Sequence, residues 1–158
     1  MMEKICKNIS ESLQISKEKY RDRVDLLLSR INLLSGEDRL LMIMYWEKGN
    51  NLSQISRLAG VGRLNIARRI HKITERLMEG KYITCLRYRD RFTILEMDVA
   101  KEYFLLGLSM KTIAGKRGWS YYRVRGILQR IQLVLELVSE DSNGELSIEN
   151  GGTINADI

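Results

Sequence analysis

Basic side chains are concentrated in two clusters of this chain. Residues 57–76 contain six Arg or Lys and one acid, and residues 111–130 contain six and no acid. Such side chains bind phosphates with an affinity that depends on salt and not on base sequence, whereas contacts to base edges give specificity. The two clusters therefore predict a nucleic acid as the partner.

The usual catalytic and metal-binding groups are scarce. His71 is the single histidine and lies within the first basic cluster, so the sequence offers neither a nucleophilic triad nor a four-ligand zinc site. Cys6 and Cys85 are isolated and are expected to be reduced thiols. Gly60-Val61-Gly62 is too short for a GxGxxG phosphate loop. We therefore expect no enzymatic activity, no cofactor and no metal.

The first basic cluster belongs to a stretch that predicts a helix, a turn and a second helix. Ile55 and Leu58 give the first helix an apolar side, and Gly60 suits the turn because glycine tolerates a positive φ. Apolar residues follow at helical spacing; they are Ile66, Ile70, Ile73 and Leu77. In a helix-turn-helix, the second helix enters the DNA major groove.

A second copy of this pattern begins 58 residues later. With that shift and no gap, six of 44 positions are identical between residues 35–78 and 93–136, and the matches fall on caps, turn glycines and apolar positions. The sequence therefore predicts two tandem three-helix units. Gly126 interrupts the last helix of the second copy at a cost of about 1 kcal/mol relative to Ala. That copy is either a degenerate scaffold or a DNA reader that uses tyrosines and arginines.

The predicted organisation has five segments. They are an N-terminal helical segment (1–34), a first helix-turn-helix unit (35–80), a linker (81–92), a second unit (93–138) and a disordered acidic tail (139–158). The tail contains five acids and no base, which favours disorder. The linker mixes β-prone and basic residues, which leaves open a short strand, a helix extension or an extended segment. The absence of proline and the 44% apolar content favour an all-α fold.

Two local features bear on the first unit. Residues 16–34 carry an apolar helical face, made of Tyr20, Val24, Leu27, Leu28, Ile31 and Leu34. Such a face must be covered, either by the unit that follows it or by a second copy in a homodimer. Ser35 with Asp38 resembles a capping box, and Asn51 is the expected N-cap of the helix that begins at Leu52.

Residues 33–79 resemble region 4 of bacterial RNA polymerase sigma factors, and response-regulator output domains share most of the pattern. The resemblance is carried by "YWEKG" at 45–49, "LSQISRLAG" at 52–60 and the basic helix at 63–77. Residues 93–138 resemble the same unit less closely. The resemblance implies the winged-helix-like superfamily, DNA binding and contact with RNA polymerase. The residues ahead of the first copy are too few for a promoter-melting domain, so we do not expect a complete sigma factor.

Together these patterns predict a cytoplasmic, sequence-specific transcription regulator that binds double-stranded DNA. The alternative is a protein-interaction module that binds RNA polymerase or a sigma factor, with the helix-turn-helix folds as scaffold. The longest apolar run has seven residues, too few for a membrane span, which needs about 20. Predicted base contacts are Arg63, Leu64, Arg68, Tyr121, Tyr122 and Arg125. Predicted phosphate contacts are Arg57, Arg69, Lys72, Arg76, Lys116, Arg117, Arg123 and Arg130.

Overall fold

The computed structural model describes the backbone of residues 2–145 and the side chains of residues 11–142, and within that part of the chain it is all α-helical, without a β-strand. The helices are α1 (Met2–Ile31), α2 (Gly36–Met42), α3 (Leu52–Ala59), α4 (Arg63–Glu79), α5 (Lys81–Arg87), α6 (Ile94–Ala100), α7 (Met110–Arg117) and α8 (Tyr121–Glu145). A π-helical turn continues α2 (Ile43–Glu47) and another continues α6 (Lys101–Leu105), and a 3₁₀ turn follows α5 (Arg89–Arg91). The chain divides into two compact units between Glu79 and Gly80. No strand that could form the wing of a winged helix lies within residues 2–145.

The first unit consists of α1 to α4, and α1 is part of it. The C-terminal half of α1 packs against α4 and the π-helical turn, which buries Leu27 and Ile31 and leaves Tyr20 64% exposed. Arg30 donates to the carbonyl oxygens of Leu77 at 2.6 Å and Met78 at 3.3 Å, where a helix end leaves carbonyls without partners. The apolar face of residues 24–34 is therefore covered within its own unit, which removes the reason for a homodimer through it.

The second unit consists of α5 to α8, and its first helix was expected to be a linker. Helix α5 packs against α6, the π-helical turn and α8. Cys85 is fully buried in the core of this unit, and Tyr82 and Phe92 pack against that core. Residues 81–92 are thus a folded part of the second unit, because their apolar side chains complete its core.

The same local elements recur in both units with the predicted spacing of 58 residues. The π-helical turns begin at Ile43 and Lys101, and α4 and α8 begin at Arg63 and Tyr121. The turn glycines agree closely, with φ of 65° at Gly60 and 66° at Gly118. The starts of these helices and turns therefore recur along the chain at the spacing of 58 residues.

Three local predictions need correction. Ser35 makes no side-chain cap to α2, whereas Thr93 and Glu96 form a reciprocal capping box at the equivalent position of α6. Leu58 was expected on the inner side of α3 but is 72% exposed. Helix α8 continues to Glu145, so residues 139–145 are helical rather than disordered, and residues 146–158 of the predicted tail lie outside the described residues. Asn51 caps α3 as predicted, in a capping box with Gln54.

Candidate nucleic-acid interface

The exposed face of α4 carries the basic residues predicted to contact DNA. Ile66, Ile70, Ile73 and Leu77 are buried. Leu64, Arg68 and Lys72 follow each other at intervals of four residues on the opposite side, and all three are exposed. Arg63 is the first residue of α4, and Arg57 lies on α3; both side chains are also exposed. Four cations therefore lie on exposed positions of two consecutive helices.

These four cations are free of carboxylates within the described side chains. Arg57, Arg63, Arg68 and Lys72 make no ion pair with any residue of the range 11–142. A free guanidinium at the start of a recognition helix has the geometry to bind guanine through two hydrogen bonds. Cations further along the helix meet phosphates more readily.

The turn between α3 and α4 fixes the position of this face. Gly60 ends α3 in the left-handed conformation, at φ 65° and ψ 25°. The Ser56 hydroxyl donates to the Val61 carbonyl at 2.6 Å, and the Val61 amide donates to the Ser56 carbonyl at 3.3 Å. These two bonds close the turn across its glycine. The angle between α3 and α4 thus depends on a conformation that residues with a Cβ adopt at a cost.

Arg69, a predicted phosphate contact, forms ion pairs with two carboxylates of the first unit. Its Nε donates to Asp38 Oδ1 at 2.8 Å, and its Nη2 lies 3.3 Å from Glu37 Oε2. Burial alone would lower the pKa of Arg69, but the hydrogen bond and the charge of Asp38, with a smaller contribution from Glu37, raise it above its ordinary value. Arg69 therefore ties α4 to the start of α2. Arg76 is half-buried on α4.

In the second unit, two exposed tyrosines replace the first residues of the basic face. Tyr121 and Tyr122 are 43% and 78% exposed, and their rings meet edge to face with centroids 6.0 Å apart. Arg125 is exposed, while the guanidinium of Arg123 lies 4.3 Å from the ring centroid of Trp119. Gly126 takes the place of Arg68. The predicted base contacts of this unit are therefore accessible, but its exposed face has fewer free cations.

The other predicted phosphate contacts of the second unit hold buried carboxylates. Lys116 Nζ and Arg117 Nε each lie 2.8 Å from an oxygen of Glu102, which is 6% exposed. Burial would raise the pKa of Glu102, but the hydrogen bonds and charges of Arg117 and Lys116 outweigh it and bring the pKa below its ordinary value. Arg130 pairs with Glu96, which is also 6% exposed. These three cations have a structural partner within the chain.

At the position of this ion cluster, the first unit has an apolar groove. The residues equivalent to Glu102, Lys116 and Arg117 are Met44, Leu58 and Ala59. They line a groove of about 320 Å³ together with Leu40 and Val61, which are 59% and 41% exposed. Leu40 and Val61 are in turn equivalent to Asp98 and Trp119. These three equivalent positions thus carry apolar residues in one unit and ion-paired residues in the other.

The sequence patterns missed the division between free and paired cations. Each pair joins residues at least 14 positions apart, which no local spacing reveals. Alignment of the two copies at the 58-residue shift could have revealed part of this division, because Glu102 and Arg117 align with apolar residues of the first copy. No helix among residues 2–145 is long and apolar enough to cross a membrane. Comparison with models of known families, with curated proteins and with solved structures gives no match.

Proposed function

We propose that this protein is a sequence-specific DNA-binding transcription regulator whose α3 and α4 form a DNA-reading helix-turn-helix. The observation that carries the proposal is the set of four exposed cations on these helices, Arg57, Arg63, Arg68 and Lys72, without a carboxylate partner among the described side chains. Surface cations of one sign that remain unpaired favour a polyanionic partner. Helices α7 and α8 form the second helix-turn-helix of this proposal, with Tyr121, Tyr122 and Arg125 as its reading residues.

The proposal is tested by selecting bound duplexes from a randomised pool and titrating the selected sequence with salt. We expect a recurrent motif, bound with an affinity that falls steeply as salt rises. Arg68→Ala is expected to weaken binding to that motif about tenfold to a hundredfold, because one base contact is worth about 1–3 kcal/mol. Binding to unrelated duplexes should change far less.

Matched variants distinguish base contacts from phosphate contacts. Lys72→Ala should weaken binding to all duplexes alike and reduce the salt slope by about 1. Lys48→Ala, which removes an exposed cation of the same unit outside α3 and α4, should leave both affinities unchanged. Weak and unselective binding by the unaltered protein would contradict the proposal. Equal losses from Arg68→Ala on all duplexes would assign Arg68 to a phosphate.

The second candidate is a protein-interaction module that binds RNA polymerase or a sigma factor through the first unit. The apolar groove beside Leu40, Leu58 and Val61 favours it, since exposed apolar patches mark interaction surfaces. Leu58→Lys places in this groove the residue that the second unit has at position 116, so the fold has a precedent for it. Loss of polymerase recovery from nuclease-treated lysate on this substitution, with DNA binding intact, would support this candidate. Recovery that does not depend on Leu58 would contradict it.

A further inference from the structure

The first unit contains a second concave site, separate from the exposed cations of α3 and α4. A cleft of about 900 Å³ lies between α1, the π-helical turn and α4. Its apolar lining comes from Tyr45, Leu52, Ala67, Ile70 and Met78. The volume falls within the range of small-molecule sites, which are mostly apolar and carry a few polar groups that orient the ligand.

Two residues that line this cleft each have a buried polar atom without a hydrogen-bond partner among the described residues. These atoms are Nε1 of Trp46 and Oγ1 of Thr74, on two residues that both line the cleft. A smaller cavity of about 230 Å³ is also lined by Trp46, Thr74 and Met78, so the two residues that carry these atoms line both cavities. Both atoms are buried, so a ligand reaches them only when a lining side chain moves, and methionine is a flexible side chain. Buried polar groups are nearly always bonded, so these two unbonded ones need a reason.

The second unit shows that the fold itself does not require these atoms. The position of Trp46 is taken there by Phe104, which is buried and has no indole N–H, and the position of Thr74 is taken by Gln132, which is exposed. The aromatic pair keeps its geometry, with ring centroids 5.2 Å apart both for Tyr45 with Trp46 and for Tyr103 with Phe104. The indole N–H and the threonine hydroxyl are therefore additions of the first unit to a site whose packing works without them.

The donors of the cleft indicate the class of ligand. An indole N–H donates and does not accept, a threonine hydroxyl does both, and a guanidinium only donates. Arg23 lines both cavities, is exposed, and makes no ion pair among residues 11–142. Of the lining acids, Glu75 lies 3.2 Å from His71, and Glu79 lies at the end of α4. The indole N–H, the threonine hydroxyl and the guanidinium are donors that match a ligand with an apolar body and two acceptor oxygens.

We propose that this cleft binds a small organic carboxylate with an apolar body, whose oxygens accept from Trp46 Nε1, Thr74 Oγ1 and Arg23. The apolar body packs against Ile70 and Met78, where α4 borders the cleft. The inference does not depend on DNA binding, because every residue it uses lies outside the four exposed cations.

The test uses the full chain and the probe 4-phenylbutyrate, followed by ¹H–¹⁵N spectra of the indole groups. The chain has two tryptophans, so Trp119 in the second unit is an internal control for Trp46. The Trp46 signal should move downfield and saturate, while the Trp119 signal stays in place. A ligand of about a dozen non-hydrogen atoms is expected to bind with a Kd on the order of 1 mM. The matched probes 4-phenylbutan-1-ol and 4-phenylbutylamine should bind at least tenfold more weakly.

Three variants test the assigned contacts. Thr74→Val keeps the shape and removes the hydroxyl, so it should weaken binding of the acid several-fold and raise the Tm of the free protein by about 2–4 °C. A merely structural hydroxyl would lower the Tm when removed. Arg23→Gln should weaken the acid about tenfold without affecting the alcohol. Arg21→Gln, an exposed cation on α1 that does not line the cleft, should change nothing.

Several results would overturn the proposal. A Trp46 signal that does not respond to the acid would show that the cleft holds no such ligand. Equal binding of acid and alcohol would show that the carboxylate is not recognised, and tighter binding of the amine would assign the site to cations through Glu75 and Glu79. A fall in Tm for Thr74→Val would show that the hydroxyl already has a partner in the folded chain.

Discussion

Replacing Glu102 by Met, which the first unit has at the equivalent position 44, is expected to destabilise the second unit by about 2 kcal/mol. The Glu102 carboxylate binds Arg117, whose side chain is 20% exposed, and Lys116, whose side chain is 58% exposed. A hydrogen bond to a charged group contributes about 1.5–3 kcal/mol, and we assign this to Arg117. The exposed Lys116 adds about 0–1 kcal/mol. Burial of the methionine side chain offsets part of this loss of stability.

Completing the exchange should restore the stability. The triple variant Glu102→Met, Lys116→Leu and Arg117→Ala gives the second unit the apolar residues that the first unit has at positions 44, 58 and 59. Removing one partner leaves an unpaired charge near the core, whereas replacing a whole buried ion cluster by apolar residues is often neutral or stabilising. We therefore expect the triple variant to unfold within about 1 kcal/mol of the unaltered protein.

The assay is urea unfolding in a Trp46→Phe background, where Trp119 alone reports on the second unit. Phe at position 46 matches Phe104 of the other copy, so the background substitution has a precedent. The Arg117 guanidinium lies 5.1 Å from the centroid of the Trp119 ring, and its removal will change the emission, so circular dichroism serves as a second probe. An unchanged midpoint for Glu102→Met would refute a stabilising ion cluster. A triple variant as unstable as the single one would refute the equivalence of the two packing solutions.

Two further predictions concern the same unit. The pKa of Glu102 is lowered as described above. Burial would raise the pKa of Glu96, but its hydrogen bonds to Thr93 and Arg130 and the charge of Arg130 outweigh burial and lower it. A carboxylate whose pKa is lower in the folded than in the unfolded state stabilises the fold above the unfolded value near 4.5, and this contribution is lost as the pH falls through the folded value. The free energy of unfolding reported by Trp119 should therefore fall between pH 6 and pH 3, and a constant value would contradict the two assignments. Gly126→Ala should raise this free energy by about 1 kcal/mol, because no atom lies within 4 Å of the added Cβ. Gly118→Ala, at φ 66°, is the matched control that should lower it, and a loss with Gly126→Ala would show that the glycine is required.

The sequence predicted the features that are local and periodic. A few neighbouring residues are enough to predict the turn glycines, the cap at Asn51 and the buried stripe of α4. The alignment of the two copies at a shift of 58 residues predicts the equivalent features in the second copy. The π-helical turns were not predictable in this way. Ile43–Glu47 and Lys101–Leu105 share a tyrosine and the aromatic residue that follows it. Neither residue distinguishes a π-helical turn from the α-helix whose period of 3.6 residues precedes it.

The predictions that were wrong depend on contacts between distant residues. Asp38 was expected to act within α2, but Arg69 of α4 binds it, and the cap of Ser35 is not made. The segment around Cys85 was expected to be a linker because its composition is mixed, yet the core of the second unit needs its apolar side chains. In both cases the deciding partner lies outside any local window of the sequence.

The two copies carry different surface residues at equivalent positions. At equivalent positions, the first unit has exposed arginines at 57 and 68 where the second has glycines at 115 and 126. It also has an apolar groove where the second has Glu102 with its two cations. Because the second unit's cations at 116, 117 and 130 neutralise buried carboxylates, their loss would affect folding before it affected binding. Substitutions that separate binding from stability are therefore to be sought among Arg57, Arg63, Arg68 and Lys72 of the first unit, which make no ion pair within the described side chains.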